Sequence, residues 1–476
     1  MKKSIRFVVL VEFLLLLSII WLYYIVPNGY NKSLFLFNFV IVVSVLFFEI
    51  KYSYIRFDQR LEYWLRPSFI FLIGYLIVGY QYYLDVYVGF LSKEADILVS
   101  SQMLNKGICF SSLGLLAFSI GNITTQKPPY SYSNNVSKYT LLLILNVLLF
   151  LWFLMSVDSA MLSGETYASN VDEETIPAEF FLNIIQFSII AQYSINNGRS
   201  LSFFRWVLKM PYIFLFTLLI YLGIRLMSGD RGPVIYTIMA IFLGYTYSTR
   251  LYFKKSVIII IAIVGMTAVT VAGLSRAMVS TSLKDKMSFG IEAYQTVGNI
   301  SVSPITMELA GSVRCNQLAL KDINLDNSDF HCGEFQLRYL GTILFTNRVV
   351  EILFPTNVEN TSSADYLTKK HFGGDEIRFG VGSSCIADFY LDLGLIGVVL
   401  GMLLVGVIFK KLDSVMLDGN RKNTGFLWVS LLIGLGSYSI YLPRSVFVFL
   451  LRIPLYMSVI LYFNRKFYLG KANRNY

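Results

Sequence analysis

The chain has 476 residues, of which 55% are hydrophobic and only 15% are charged, and its formal net charge is +10. Soluble domains carry about 25% charged residues, so this composition and the mean hydropathy of +0.59 exclude an ordinary soluble enzyme. They predict an all-α polytopic integral membrane protein, whose basic residues set its topology, so the positive charge does not indicate nucleic-acid binding.

Apolar runs long enough to cross the hydrocarbon core, which takes roughly 20 residues, recur along the whole chain. We predict about twelve transmembrane helices, at residues 7–26, 33–50, 69–91, 107–122, 139–157, 180–195, 211–227, 233–249, 256–273, 387–409, 425–442 and 445–463. The first run is too long for the apolar region of a signal peptide, and no small-residue cleavage site follows it. We therefore expect it to be retained as a span.

Basic residues concentrate in every second connection between these spans and at both ends of the chain. Cytoplasmic loops carry the excess of Lys and Arg, so both termini are predicted to be cytoplasmic. The connection 158–179, on the opposite side, is acidic and contains no Lys or Arg. The chain is thus predicted to hold spans one to nine (1–273), one large external loop (274–386), and spans ten to twelve with a cytoplasmic tail (387–476), in one integrated membrane domain.

The external loop has a helical pattern and carries two of the cysteines. Its stretch 335–354 has apolar residues at roughly helical spacing, which predicts a helix that lies in the membrane interface or packs on the bundle. Cys315 and Cys332 both lie in this loop, and an oxidising compartment would favour a disulfide between them. The only histidines, His331 and His371, are also here. No Cys or His spacing matches a metal site, so neither a metal nor a cofactor is expected.

Charged residues collect around the turn 228-SGDRG-232, between spans seven and eight. Arg225 lies inside the end of span seven, and Asp230 and Arg231 lie in the turn. The predicted topology places further arginines in the outer half of the membrane: Arg276 after span nine, Arg444 in the last outer turn, and Arg452 in span twelve.

An arginine inside a membrane is costly, so it is a functional candidate by default, and its planar fork binds phosphate oxygens in pairs. We therefore predict that these arginines clamp an anionic lipid headgroup, with a diphosphate as the natural ligand. Two structural alternatives stand beside this prediction. Asp230 and Arg231 could pair only with each other and stabilise the turn. Arg444 could extend its side chain to the membrane surface.

A second cluster, 380-GVGSSCIADFYLDLGLIG-397, leads into span ten. Asp388 and Asp392 are four residues apart, and this spacing puts them on one face of a helix. They could pair with the arginines, accept a proton from a sugar hydroxyl, or serve a structural role.

The two motifs, with the long external loop between them, resemble the Wzy-type O-antigen and oligosaccharide repeat-unit polymerases. The resemblance implies a GT-C-like membrane glycosyltransferase that joins oligosaccharide units carried on undecaprenyl diphosphate. It also implies action at the periplasmic face of the bacterial inner membrane, in lipopolysaccharide biosynthesis. The growing chain would move as a block onto a newly flipped unit, and a chain-length regulator and a flippase would be partners.

The resemblance implies roles for the charged residues. Arg231 matches the motif position of a substrate-holding arginine, and the candidates for the base that takes the acceptor's proton are Asp230, Asp388 and His331. Fixed guanidinium groups would stabilise the departing diphosphate without a metal. The candidates for this role are Arg225, Arg276, Arg314, Arg444 and Arg452.

Two other functions share parts of this pattern. An O-antigen ligase has the same architecture and the same lipid-linked donor but passes the chain to the lipid A core, and the two motifs favour the polymerase over it. A flippase or transporter of lipid-linked oligosaccharide would suit twelve spans. It would also be expected to carry charges through a central cavity and to show two related halves, and neither feature is evident in the sequence.

Overall fold

The protein is built almost entirely of helices. The computed structural model describes residues 2–56, 65–124, 138–157, 175–197, 201–228, 230, 232–249, 265, 267, 271, 285, 288–292, 301, 303, 306–353, 362–373, 380–417 and 425–472. It is 84% helical, and the described part of the chain contains no strand, which confirms the predicted all-α membrane class. Among these residues, six helices are long and apolar enough to cross a membrane.

The helices form two groups along the chain. The first comprises α1 (Lys2–Ile25), α2 (Lys32–Arg56), α3 (Pro67–Val88), α4 (Leu104–Thr124), α5 (Thr140–Ser156), α6 (Thr175–Asn196), α7 (Phe203–Leu208), α8 (Tyr212–Met227) and α9 (Gly232–Thr249). The second comprises α10 (Met307–Ala310), α11 (Val313–Asn324), α12 (Glu334–Leu344), α13 (Asn347–Leu353), α14 (Ser363–Phe372), α15 (Cys385–Leu417), α16 (Phe426–Ser430), α17 (Phe447–Leu450) and α18 (Arg452–Ala472).

The predicted spans other than the ninth and the eleventh fall on these helices, because an apolar run in a membrane must satisfy its backbone hydrogen bonds within itself. The eleventh, 425–442, begins on α16 and continues in π- and 3₁₀-helical turns. The ninth span, 256–273, lies outside the described residues apart from single positions, so the count of twelve stays a prediction.

The last three spans are not continuous α-helices. Span ten, α15, is broken at Leu393 and Gly394, and Gly394 has a φ of +63°, which suits glycine. Span eleven begins as α16 and continues as a π-helical turn, Leu431–Leu435. Span twelve is interrupted at Leu451, between α17 and α18. Such breaks are tolerated in a membrane only where protein or a water-filled cavity covers the freed backbone groups, so they mark candidate functional positions.

The chain divides into two compact units. Unit 1 comprises Met1–Lys127, Asn299–Lys411 and Ser439–Leu451. Unit 2 comprises Pro128–Gly298, Leu412–Tyr438 and Arg452–Tyr476. The predicted division at residues 273 and 386 instead separates the membrane spans from the external loop, and it stays a prediction.

Helices of unit 1 cross closely at glycines. A Cβ on Gly121 of α4 would lie 2.2 Å from the carbonyl oxygen of Leu403, and a Cβ on Gly406 of α15 would lie 2.1 Å from that of Phe118. Helices in a membrane gain little from hydrophobic association, so they approach through small residues of this kind. Any larger residue at Gly121 or Gly406 would force α4 and α15 apart.

From residue 301 onwards, the described part of the external loop is built into unit 1. Helix α11 packs on α3 and α4. The side-chain amide of Gln317 donates to the hydroxyl of Tyr83 in α3, and that of Asn324 donates to the hydroxyls of Tyr23 and Tyr390. These contacts join the loop to α1, α3 and α15, so the loop helices are part of the packed bundle.

Helix α12 combines the two placements that the sequence leaves open. One face is buried in unit 1, through Phe335, Tyr339 and Ile343. The other face is apolar and exposed, through Leu337, Leu340 and Leu344. The helix therefore packs on the bundle and presents an apolar surface outward, which is the pattern of a helix at a membrane interface.

The predicted disulfide is absent, because all four cysteines of the chain are free thiols. Cys315 is buried on α11, and its Sγ donates to the carbonyl oxygen of Val381 at 3.4 Å. Cys332 is exposed in the turn before α12. The prediction is wrong because it used only the shared compartment, whereas the fold turns one thiol into the core and the other to the surface.

Cys332 offers a test of the free thiol and of the predicted topology together. In intact spheroplasts, a membrane-impermeant maleimide should label Cys332 without prior reduction, because its side chain is exposed and the loop 274–386 is predicted to face outward. Burial raises the pKa of Cys315 to about 12, so a Cys332→Ser variant should be unlabelled. Labelling that requires permeabilised cells would contradict the topology, and labelling that requires a reductant would contradict the free thiol.

Candidate functional site

In unit 2, Arg225 is held by two carboxylates. Its side chain is only 2% exposed; it pairs with Glu179 of α6, and its Nη1 lies 3.9 Å from Oδ2 of Asp230. The hydroxyl of Tyr221, one turn earlier on α8, donates to Oε1 of Glu179 at 2.7 Å. The guanidinium also lies 5.8 Å from the ring centroid of Phe153. Arg225 is therefore enclosed and neutralised, so it anchors α8 to α6 and the following turn.

The SGDRG turn folds back on the end of α8. The backbone N–H of Asp230 donates to the carbonyl oxygen of Arg225 at 2.9 Å, and Oδ1 of Asp230 accepts the N–H of Gly232 at 3.1 Å. A carboxylate at this position satisfies a free N–H at the start of α9. The Asp230 side chain remains 30% exposed. Arg231 lies outside the described residues, so its predicted role stays a prediction.

Arg452, at the start of α18, lies against an aromatic group of unit 2. Its guanidinium is 4.4 Å from the ring centroid of Phe180, and Tyr236, Tyr438 and Tyr456 lie nearby. The rings of Tyr236 and Tyr438 stack with their centroids 4.5 Å apart. A guanidinium over an aromatic face gains cation–π energy and keeps its charge. Arg452 is thus a cation held by rings at the break in span twelve.

Tyrosine hydroxyls connect these two parts of unit 2. Tyr221, Tyr236 and Tyr438 lie near Asp230, and Tyr236 and Tyr438 also lie near Arg452. Arg225, Asp230 and Arg452, which the sequence suggested separately, therefore belong to one cluster. We call this set of residues, together with Glu179, the unit 2 cluster.

The second sequence motif builds the start of α15 in unit 1. Gly382 has a φ of +78°, which glycine adopts without strain. Ser384 caps the helix, because its Oγ accepts a backbone N–H of the first turn at 3.1 Å. The same hydroxyl donates to Asn316, and Ser383 accepts a hydrogen bond from Ser363 at 3.0 Å. The Gly and Ser residues of the motif thus have a local structural explanation.

Both aspartates of this motif are buried and hold helix α12. Asp392 accepts the backbone N–H groups of Phe335 at 3.1 Å and Gln336 at 2.9 Å, so it caps the N-terminus of α12 from a neighbouring helix. Asp388 accepts the side-chain amide of Gln336 and the hydroxyl of Tyr339. Neither aspartate pairs with an arginine in the part of the chain that the structure describes. Of the three roles that the sequence left open, these contacts support the structural one.

His331 belongs to a charged and aromatic group before α12. Its Nδ1 lies 3.9 Å from Glu334, and its ring packs on those of Phe335 and Tyr366, with centroids 4.5 and 4.7 Å away. Burial lowers the pKa of His331, against the opposing effect of the Glu334 and Asp322 carboxylates. Its Nε2 is buried and has no hydrogen-bond partner among the described residues. In this conformation the imidazole is not presented to a substrate.

The remaining arginine candidates lie elsewhere. Arg314 of α11 pairs with Asp96 at 2.8 Å. Arg314 and Arg444 both interact electrostatically with the buried Cys315, so they lie in one region of unit 1. Arg276 lies outside the described residues. The structure thus groups the described arginine candidates within units. Arg225 and Arg452 lie in unit 2, and Arg314 and Arg444 lie in unit 1.

The sequence does not reveal the partners of the charged residues. In the sequence, Glu179 is only a carboxylate at the edge of an apolar span, and nothing there marks it as the partner of Arg225. Lys370 and Asp322 form a 2.6 Å ion pair in unit 1, and the hydroxyl of Tyr366 donates to the same carboxylate. Burial raises the pKa of Asp322, but the hydrogen bonds from Lys370 and Tyr366 hold it below its usual range. These contacts join residues far apart in the chain, so no local pattern reveals them.

A comparison of the chain with known protein families gives the same family as the two motifs. The profile of the family described as O-antigen polysaccharide polymerase Wzy matches residues 5–469, nearly the whole chain. No curated protein and no solved structure matches the chain. The family match confirms the resemblance carried by the SGDRG turn and the motif before span ten. With its all-helical membrane fold, the chain therefore belongs to the O-antigen polysaccharide polymerase Wzy family.

Proposed function

We propose that this polymerase joins oligosaccharide repeat units carried on undecaprenyl diphosphate, by block transfer at the periplasmic face of the inner membrane. The unit 2 cluster beside the SGDRG turn carries the proposal. It gathers guanidinium and carboxylate groups, with tyrosine hydroxyls beside them, in the predicted outer half of the membrane, where a lipid diphosphate would lie. Cytoplasmic termini give this orientation, because the basic connections then face inward.

The proposed transfer moves the growing chain from its carrier onto a newly flipped unit. A hydroxyl oxygen of the acceptor sugar attacks the anomeric carbon of the donor chain. The bond from that carbon to the diphosphate oxygen breaks, and undecaprenyl diphosphate leaves with the electron pair. The hydroxyl proton passes to a carboxylate base. Fixed guanidinium groups stabilise the charge that develops on the diphosphate, so the proposed step needs no metal ion.

The candidate residues for these roles differ in how far their side chains are exposed. Asp230 is the preferred base because its carboxylate is partly exposed, whereas Asp388 is enclosed by hydrogen bonds and Nε2 of His331 is buried. Arg452 and Arg231 are proposed to bind the diphosphate. Arg225 is the positioning residue, since its ion pair orients Asp230 from the protein side.

A ligase and a flippase would use the same carrier lipid, and the family match favours the polymerase over both. The polymerase needs a supply of units on the outer side and a limit on product length. A flippase and a chain-length regulator are therefore the proposed protein partners, in addition to the lipid bilayer itself.

The proposal is tested by the surface polysaccharide of cells in which an Arg231→Ala variant replaces the native protein. We expect long chains to disappear while single repeat units still reach the lipid A core, because loss of one charge-stabilising group lowers such rates about 10²–10³-fold. An immunoblot checks the amount of protein. Arg205→Ala is the matched control, since Arg205 is an exposed arginine of α7 on the predicted cytoplasmic side.

Each other outcome has a distinct meaning. Long lipid-linked polymer that accumulates without reaching the core would identify a ligase. Complete loss of exported units would identify a transporter. An unchanged polysaccharide ladder would reduce Arg231 to a turn residue and remove it from the proposed site.

A further inference from the structure

Unit 1 contains an apolar recess of about 340 Å³ between α2 and α3. One stripe of α2 lines it, and α3 forms the facing wall: Phe35, Phe39, Val43 and Leu46 on α2, Leu76 and Leu84 on α3. From Phe35 to Leu46 the stripe is roughly 16 Å long, at 1.5 Å per residue. That length is about half of a hydrocarbon core. Since α2 begins on the outer side in the predicted topology, the recess runs from the outer headgroup level towards the membrane centre.

Two lysines lie beyond the outer end of the recess, on aromatic rings that pack against its lining residue Phe35. The ring of Phe35 packs on those of Tyr87 and Tyr30, with centroids 5.1 and 6.4 Å away. Nζ of Lys32 lies 5.9 Å from the Tyr87 centroid, and Nζ of Lys93 lies 5.7 Å from the Tyr30 centroid. Both lysines are exposed, and neither forms an ion pair within the described residues. Two cations are thus available where the apolar recess ends.

Residues of the external loop complete one wall of the recess. Nε2 of Gln81 donates to the carbonyl oxygen of Ser303 at 2.9 Å, and Oγ1 of Thr306 donates to Oε1 of Gln81. Behind them, Ser301 donates to the buried carboxylate of Asp85 at 2.7 Å. The polar groups of this wall are therefore paired with one another. An apolar chain can lie against them without leaving a buried polar group unsatisfied.

We propose that this recess binds the polyprenyl chain of the second carrier lipid, the one that holds the acceptor unit, and that Lys32 and Lys93 bind the diphosphate of this carrier, whereas Arg231 and Arg452 bind that of the departing donor. The identity of the carrier rests on the proposed function. An apolar recess of one-leaflet depth that ends at two cations complements a ligand with a long apolar chain and a compact, multiply anionic head. A zwitterionic phospholipid carries its own cation in the headgroup and would gain less from the two lysines.

The test uses the full-length protein in nanodiscs of phosphatidylethanolamine and an undecaprenyl diphosphate with a diazirine in its chain. We expect labelled peptides from α2 and α3, identified by mass spectrometry. Unlabelled undecaprenyl diphosphate should compete, and phosphatidylglycerol should not. Val43→Trp fills the recess and should lower the labelling about tenfold. The double variant Lys32→Gln, Lys93→Gln should weaken binding about tenfold.

The matched control is Val40→Trp. Val40 lies on the same helix, is 62% exposed and does not line the recess, so this variant should be labelled like the native protein. Lys51→Gln, at the other end of α2, is the charge control. Equal loss in Val40→Trp and Val43→Trp, labels spread over all exposed faces, or equal competition by phosphatidylglycerol would overturn the proposal and assign the recess to bulk lipid.

The failure of this inference is distinguishable from the failure of the proposed function. The same preparation is supplied with lipid-linked repeat units, and polymer is measured separately from labelling. Polymer formation with labels only outside α2 and α3 would reject the recess and keep the function. Labelling of the recess without any polymer would keep the lipid site and reject the polymerisation step.

Discussion

An Arg225→Met variant is expected to lose about 2–3 kcal/mol of unfolding free energy, because it leaves the Glu179 and Asp230 carboxylates without their shared cation. Arg225 is almost fully buried and contacts both carboxylates in the native structure. Loss of a fully buried pair would cost more, but the partial exposure of the two carboxylates lets water screen them. Chemical unfolding in mixed micelles measures the loss.

Two further variants separate anchoring from substrate binding. Adding Glu179→Gln to Arg225→Met removes one of the uncompensated carboxylates and should restore part of the stability. Tyr221→Phe removes the hydroxyl that donates to Glu179 and should cost about 1 kcal/mol. An Arg225→Met protein that is as stable as the native one but inactive would contradict the anchoring role and make Arg225 a substrate ligand.

Substitution of Arg452 by alanine is expected to lower the polymerisation rate about 10²–10³-fold, because it removes a fixed cation from the proposed diphosphate site. The rate is measured with lipid-linked repeat units and purified protein, and product length is checked on gels. Arg452→Lys keeps the charge but loses the planar fork, so it should recover only part of the rate.

The control for Arg452 lies on the same helix. Arg465 makes a similar contact, with its guanidinium 5.8 Å from the ring centroid of Phe426, but it lies at the predicted cytoplasmic end of α18. Arg465→Ala should therefore leave the product length unchanged. A native-length product from Arg452→Ala would remove Arg452 from the proposed diphosphate site, whatever its effect on stability.

The sequence identifies candidate residues for the site, but it does not identify their partners. Arg225 and Arg452 stand out because a charge in an apolar run is costly wherever the run folds, and Asp230 stands out because it lies in the SGDRG motif. The sequence does not show that Glu179 neutralises Arg225 or that Phe180 lies under the guanidinium of Arg452. Those contacts divide the arginines into one that anchors the fold and one that is proposed to bind substrate.

The aspartates before span ten show the same limit. Their spacing predicts that Asp388 and Asp392 share a helix face, and the motif around them points to the family. Their role depends on α12, which begins more than fifty residues earlier in the chain and whose N-terminal N–H groups Asp392 accepts. The disulfide prediction failed for a related reason, since compartment and proximity in sequence do not determine which way two thiols face.

The sequence by itself determined the membrane class, the position of most helices and the family, because hydrophobicity over a run of residues and short motifs are local properties. Tertiary structure alone decided where the last three spans break, which carboxylates hold Arg225, how α12 is capped and where the apolar recess ends at Lys32 and Lys93. These features depend on pairs of residues brought together from distant parts of the chain. Their free energies arise from burial and geometry, which no local pattern encodes.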